Sequence, residues 1–191
     1  HTAMAVRADV SDPEQVQAMV DNVLDKFCQL DILVCNAGRS WVGLLGDMTV
    51  AEWRELLSVN LDSVFYCCKA VLPHMIHRKK GKIITVSSMW GQVGASCEAA
   101  YSAAKAGVIG LTKALAQEEG PSGIRVNCLA PGVIDTPMNG DLSPEDVAAL
   151  REGTPLGRTG TPREAGEAIA YLLEAEFLTG QVLGLNGGMV V

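Results

Sequence analysis

The apolar positions of this chain fall into two rhythms. Short, nearly unbroken runs rich in Val, Ile and Leu occur at Met4–Ala8, Ile32–Cys35, Lys82–Val86, Arg125–Ala130 and Gln181–Leu185. Longer stretches, Pro13–Phe27, Thr49–Arg78, Ala99–Glu119 and Arg163–Leu173, follow the helical period instead. An unbroken apolar run suits a parallel strand covered on both faces, because neither side of its pleat meets water. The helix starts carry signals of their own. Ser11-Asp12-Pro13-Glu14 supplies a capping side chain and a proline in the first turn. Thr49-Val50-Ala51-Glu52 has the capping-box spacing, with Glu three residues after Thr. Strands alternating with helices need right-handed crossovers, so the pattern predicts an α/β fold: a doubly wound, Rossmann-like parallel sheet forming a single domain over residues 1–191. No internal repeat, low-complexity segment or linker interrupts it.

Composition narrows the classes of function. The chain has 191 residues, 48% hydrophobic and 19% charged, which is enough apolar material for a real core and too much for a disordered segment. Fifteen Lys and Arg stand against 22 Asp and Glu, a net charge of −7, with no basic cluster beyond Arg78-Lys79-Lys80. That balance argues against nucleic acid or an anionic membrane as partner. No uninterrupted apolar run approaches the roughly 20 residues of a membrane span. The six cysteines (Cys28, Cys35, Cys67, Cys68, Cys97, Cys128) show no zinc-like spacing. Five lie in apolar stretches and read as reduced core thiols of a cytoplasmic protein, while Cys97 lies in a polar loop. His74 and His77 lack a third ligand at sensible spacing and read as a solvated helix end, so no metal site is expected.

In doubly wound sheets the ligand crevice opens at the carboxyl ends of the strands. The segments following the strands are Asp9-Val10, Asn36-Ala37-Gly38, Ser87-Ser88 and Pro131-Gly132-Val133-Ile134-Asp135-Thr136. Four polar or Gly/Pro segments converging on one edge describe a site. Tyr101 and Lys105, four apart, share a helix face. An ammonium beside a phenol favours the phenolate, which would bring the tyrosine's pKa towards working pH for acid–base work. Alone, that spacing is weak and usually marks a surface tyrosine beside a lysine. Its context is stronger, since Ser88 ends the strand that leads back to Tyr101. Asn60 lies within a predicted helix between Val59 and Leu61, where a poor helix former suggests a buried polar role.

In order and spacing, Asn36-Ala37-Gly38, Asn60, Ser88, Tyr101-x-x-x-Lys105 and Pro131-Gly132-x-x-x-Thr136 together resemble the short-chain dehydrogenase/reductase family, over essentially the whole chain. Gly123-Ile124-Arg125-Val126-Asn127 and Leu178-Thr179-Gly180-Gln181 look most like its 3-oxoacyl-[acyl-carrier-protein] reductase branch. The resemblance implies roles. Tyr101 would protonate a substrate carbonyl as hydride arrives. Lys105 would lower the tyrosine's pKa and hold the nicotinamide ribose, Ser88 would orient the carbonyl oxygen, and Asn60 would hold a water joining Lys105 to solvent. For the cofactor, Asp9 and Val10 would meet the adenine, and Asn36, Ala37 and Gly38 the adenosine ribose. Pro131, Gly132, Ile134 and Thr136 would hold the carboxamide and nearby phosphate. The implied cofactor is NADPH, with NAD open; the implied substrate is small or linked to acyl carrier protein; the implied assembly is a homotetramer.

Some features depart from the family pattern. Its Gly-rich pyrophosphate turn is not found in these residues; the Gly-rich stretch Gly184–Gly188 has no helix after it. A strand, Gly-rich turn, helix, strand and helix, roughly 45–50 residues at average element lengths, are therefore expected ahead of His1. Ser122 stands where this branch tends to carry an arginine, which weakens the case for an acidic carrier-protein partner. The Ala175–Phe177 stretch looks a couple of residues short. Two alternatives stay open: a dehydrogenase of another small alcohol or ketone, differing in the lid Met138–Gly153, and a dinucleotide-binding protein without turnover.

Overall fold

The computed structural model describes residues 2–139 and 143–191. Helix α1 (Pro13–Phe27) starts where the capping signal placed it: the Asp12 carboxylate accepts from the Glu14 and Gln15 N–H groups. It stops at Cys28, which turns left-handed with φ of 60°. Strand β1 (Ile32–Cys35) follows, then α2 (Val50–Leu57), whose Thr49–Glu52 capping box is formed. A π-helical turn over Ser58–Asp62 carries the chain without a break into α3 (Ser63–Arg78). Strand β2 (Gly81–Val86) leads through a single helical turn, α4 (Trp90–Val93), to α5 (Ala99–Glu119) and β3 (Ile124–Pro131). Helices α6 (Pro144–Glu152) and α7 (Pro162–Glu174) precede β4 (Val182–Leu185).

The strands pair in the order β1-β2-β3-β4, all parallel, with Val34 opposite Ile84, Ile84 opposite Asn127 and Leu129 opposite Leu183. Successive side chains of a strand point to opposite faces, and Ile83 and Ile84 divide accordingly. Ile83 joins Val16, Val64, Val71, Val108 and Val126 in the core that includes α1, α3 and α5; Ile84 joins Leu129 and Leu172 beneath α7. Buried residues on both faces of β2 and β3 explain why those runs read as unbroken. Arg125 fixes the last crossover by donating to the carbonyls of Leu172, Leu173 and Leu178. The continuous helix Val50–Arg78 has the length and apolarity to cross a membrane. Its apolar side is spent on the core, through Leu56, Val64, Cys67, Val71 and Met75.

Three expectations change. Met4–Ala8, predicted as a strand, belongs to none: among the described residues no strand lies along the outer edge of β1, and an extended segment without a ladder partner leaves its backbone groups to solvent. Cys28 is exposed rather than a core thiol, because it caps α1. His74 is more than a solvated helix end: its Nε2 accepts the Leu30 N–H at 3.2 Å and ties α3 to the start of β1. Among the described residues no group of ligating side chains is arranged to hold a metal.

Candidate active site

Ser88 follows β2, and α5 begins eleven residues after it, so the sheet's carboxyl edge and the first turns of α5 face each other. The Thr85 and Thr112 hydroxyls, 2.6 Å apart, pin α5 to β2, and Ser87 Oγ donates to the Lys105 carbonyl at 2.7 Å. These bonds set the height of Tyr101 and Lys105 on the helix. Lys105 is 4% exposed; its Nζ donates to the Val86 carbonyl at 3.0 Å and lies 5.7 Å from the Tyr101 ring centroid. Burial brings its pKa down to about 8. Burial raises the Tyr101 phenol, its hydrogen bond with Ser88 pulls it back, and the nearby Glu98 carboxylate raises it further. The structure therefore modifies the expectation that Lys105 brings the phenol down: desolvation dominates and the phenol is held protonated. Ser88 Oγ also accepts the Trp90 N–H at 3.2 Å, which orients the hydroxyl.

Asn60 is fully buried in the π-helical turn. Its Nδ2 donates to the carbonyls of Leu56 and Arg39, at 3.0 and 2.9 Å, and its Oδ1 accepts the Arg39 N–H at 3.2 Å. A π-helical turn widens the backbone ladder to i→i+5 and is frequent at functional sites; here the Asn60 amide sits within one and takes the Leu56 carbonyl of the preceding turn. Asn60 thus clamps the segment after β1, and an ion pair between Arg39 and Glu55 closes the same loop outside. A methyl on Gly38 would lie 2.8 Å from Asn60 Oδ1 and 3.4 Å from Lys105 Nζ. The glycine is there because the backbone passes directly over both groups.

The remaining predicted residues distribute along the same edge. Asn36 and Ala37 are exposed at the end of β1. Val10 packs against the core cluster that includes Cys35, while the Asp9 carboxylate accepts from the Ser11 N–H and hydroxyl at 2.9 and 2.7 Å. Those bonds hold Asp9 ionised, with its pKa below the usual carboxylate value. Pro131 ends β3 and Gly132 follows it, Ile134 bridges to Gly160, and Thr136 leads into a short 3-10 turn. The expected lid, Met138–Gly153, contains residues 140–142, which lie outside the described residues.

Sequence reasoning gave Ser87 no role of its own and missed Glu98 and Ser102. Glu98 stands three positions before Tyr101, half-buried, and desolvation raises its own carboxyl. Its helical spacing was the available signal. Ser102 Oγ accepts the Ala95 N–H at 3.1 Å and shapes the loop in front of Tyr101; nothing in the sequence distinguishes it from a solvated serine.

A parallel α/β sheet with Ser88, Tyr101, Lys105 and Asn60 along its carboxyl edge has the architecture of a dinucleotide-binding fold, and its relatives make it an oxidoreductase. A family model described as enoyl-(acyl carrier protein) reductase matches residues 1–190, and the chain belongs to the short-chain dehydrogenase/reductase family. It is 43% identical over 183 residues to 3-oxoacyl-[acyl-carrier-protein] reductase FabG of Vibrio cholerae, covering 95% of this chain and 75% of that protein. The protein of that name in Escherichia coli is 41% identical over the same shares. That of Buchnera aphidicola is 38% identical over 99% of this chain and 78% of its own length.

The family implies a nicotinamide dinucleotide cofactor, and the residues fit its nicotinamide half. Lys105 has N–H groups beyond the one bonded to Val86 that could serve ribose hydroxyls, while at Gly38 and Gly132 the space a side chain would take is already filled by Asn60, Lys105 and Asn186.

Proposed function

We propose that this chain reduces a 3-oxoacyl thioester carried on acyl carrier protein to the 3-hydroxyacyl form, with NADPH preferred over NADH, as a cytoplasmic homotetramer without nucleic-acid or membrane partners. The observation that supports it best is the buried Lys105 ammonium 5.7 Å from the Tyr101 ring centroid, with Ser88 at the end of the neighbouring strand. The relatives named as 3-oxoacyl reductases point to the substrate class.

When bound, the cofactor supplies hydride to the carbonyl carbon. Charge then develops on the carbonyl oxygen, and fixed donors placed there act chiefly on the transition state. Ser88 donates to that oxygen, held in direction by the Trp90 N–H. Tyr101 gives it a proton; a phenol kept protonated by burial is in the form that reduction requires. Lys105, still charged at neutral pH with a pKa of about 8, favours the phenolate that remains, and holds ribose hydroxyls. Asn60 keeps the Gly38–Arg39 backbone in place beside Lys105. Asn36, Ala37 and Gly38 line the adenosine ribose, with Asp9 and Val10 at the adenine. Pro131, Gly132, Ile134 and Thr136 hold the carboxamide and adjacent phosphate.

Purified protein assayed with NADPH and NADH against acetoacetyl thioester, a ketone panel and an enoyl thioester tests this reading. Turnover of the 3-oxoacyl thioester is expected to dominate. Activity confined to another ketone, or to the enoyl thioester, overturns the substrate assignment. Tyr101→Phe is expected to lower kcat by about 10²–10⁴-fold, the usual contribution of a positioned acid, with cofactor binding retained. Survival of activity in that variant removes Tyr101 as the acid.

A further inference from the structure

Beside the proton-transfer residues, the carboxyl edge of the sheet carries a second built feature in the turn that follows β4. After Leu185 the chain folds back on itself, and Asn186 closes the fold from both ends. Its Nδ2 donates to the Val190 carbonyl at 3.1 Å, its Oδ1 accepts the Gly188 N–H at 3.0 Å, and its own carbonyl accepts the Met189 N–H at 3.3 Å. Gly187 and Gly188 are left-handed, with φ of 64° and 93°, and press against the segment after α6. A methyl on Gly187 would stand 2.5 Å from Thr154 Cγ2, and Leu156 donates its N–H to the Gly187 carbonyl at 3.1 Å.

The other side of this turn supports the loop after β3. A methyl on Gly132 would meet the Asn186 Cα at 2.8 Å, and Gly132 donates its N–H to the Leu185 carbonyl at 2.9 Å. The Met89 N–H, next to Ser88, donates to the Pro131 carbonyl at 2.8 Å. A cavity of about 60 Å³, lined by Val133, Leu156, Gly160 and Asn186 among others, lies along the loop. The loop is held by backbone bonds at both ends, Gly132 to Leu185 at this turn and Val133 and Asp135 to Gly160 beyond it, so the height of its Gly132 end beside Ser88 follows the turn.

We propose that Asn186 is a positioning residue: by closing the turn beneath Gly132, it sets the height of the Pro131–Thr136 loop against Ser88 and the nicotinamide site. It acts through Gly132 and Pro131. The inference rests on the reading of that loop as the holder of the nicotinamide end.

Amide hydrogen exchange on the cofactor-free protein, read residue by residue, tests it without any turnover. Asn186→Ala is expected to speed exchange at Gly132 and Leu156 by at least about tenfold while the α1 amides keep their rates, as a local opening does. NADPH affinity, measured by fluorescence titration, is expected to fall several-fold. Asn186→Asp keeps the acceptor for the Gly188 N–H and loses the donor to Val190, so it should fall between; it carries the same test if the alanine variant does not fold. Unchanged exchange at Gly132 and Leu156 overturns the proposal. Uniformly faster exchange along the chain, or unaltered NADPH affinity, does so too. Wild-type protein that binds neither NADPH nor NADH overturns the reading of the loop and this inference with it. Wild-type binding with unaltered exchange in the variants overturns the inference alone.

Discussion

Lys105 sits where several demands meet: its Nζ donates to Val86, faces the Tyr101 ring, and lies 3.4 Å from where a methyl on Gly38 would project. Burial there makes its charge costly and brings its pKa to about 8. The reductive kcat/KM of the free enzyme is therefore expected to fall as pH rises through about 8, where the ammonium that favours the phenolate is lost. A pH–rate profile flat to pH 10 would count against this role. Gly38→Ala probes the same crowding. The added methyl must push aside Asn60 Oδ1, 2.8 Å away, and a buried amide displaced from its partners loses hydrogen bonds worth about 1 kcal/mol each. Activity should drop by about tenfold or more, and a variant with wild-type kcat/KM would show that Asn60 has room to yield. At this scale the sequence picked out Ser88, Tyr101 and Lys105 as candidates from strand ends and helical spacing, and the fold brings them to one edge. The sequence was silent on electrostatic balance, because the raised phenol of Tyr101 depends on burial and on Glu98, which only the packing of α5 reveals.

Elements were legible wherever capping and periodicity agreed. Helices α1 and α5 run over the predicted residues, and the long helix from Thr49 is continuous as expected. The π-helical turn that turns Asn60 onto Leu56 and Arg39 left no mark beyond a polar residue in an apolar stretch. Helix α6 carried a readable capping box, Ser143 with Asp146, in a segment whose composition otherwise read as a generic lid. Met4–Ala8 had strand composition without a strand's neighbour, and pairing is a property of two segments rather than one. Arg125 shows how one residue can secure an element. Its guanidinium takes the carbonyls of Leu172, Leu173 and Leu178 at the end of α7 and the loop beyond it. Arg125→Met is expected to cost about 2 kcal/mol, the usual range for hydrogen bonds from a charged donor, read as a lower midpoint in denaturant with an unchanged slope. A midpoint equal to wild type would place the hold on α7 in the apolar contacts of Leu172 instead.

For the molecule as a whole, one buried charge links site and stability. The Lys105 pKa is about 8 folded and 10.5 in the unfolded reference. Below pH 8 both states hold the proton and the folded state bears the full cost of the buried ammonium. Between pH 8 and 10.5 the folded state has released it and the unfolded chain has not, so the contribution of this group to stability rises with pH. Chemical denaturation of wild type and Lys105→Met across that interval should show wild type gaining on the variant; a constant difference would mean that Lys105 is solvated more than its burial indicates. What the sequence determined by itself was the alternation of strands and helices and the parallel sheet, since each follows from local period and capping along the chain; the roles proposed for Ser88, Tyr101 and Lys105 come from the family resemblance. Tertiary structure decided which groups meet: Asn60 with Arg39, Gly38 against Lys105, Asn186 beneath Gly132, Arg125 on the end of α7. These partners lie far apart in sequence, and the desolvation that sets their chemistry exists only once the layers have closed over them.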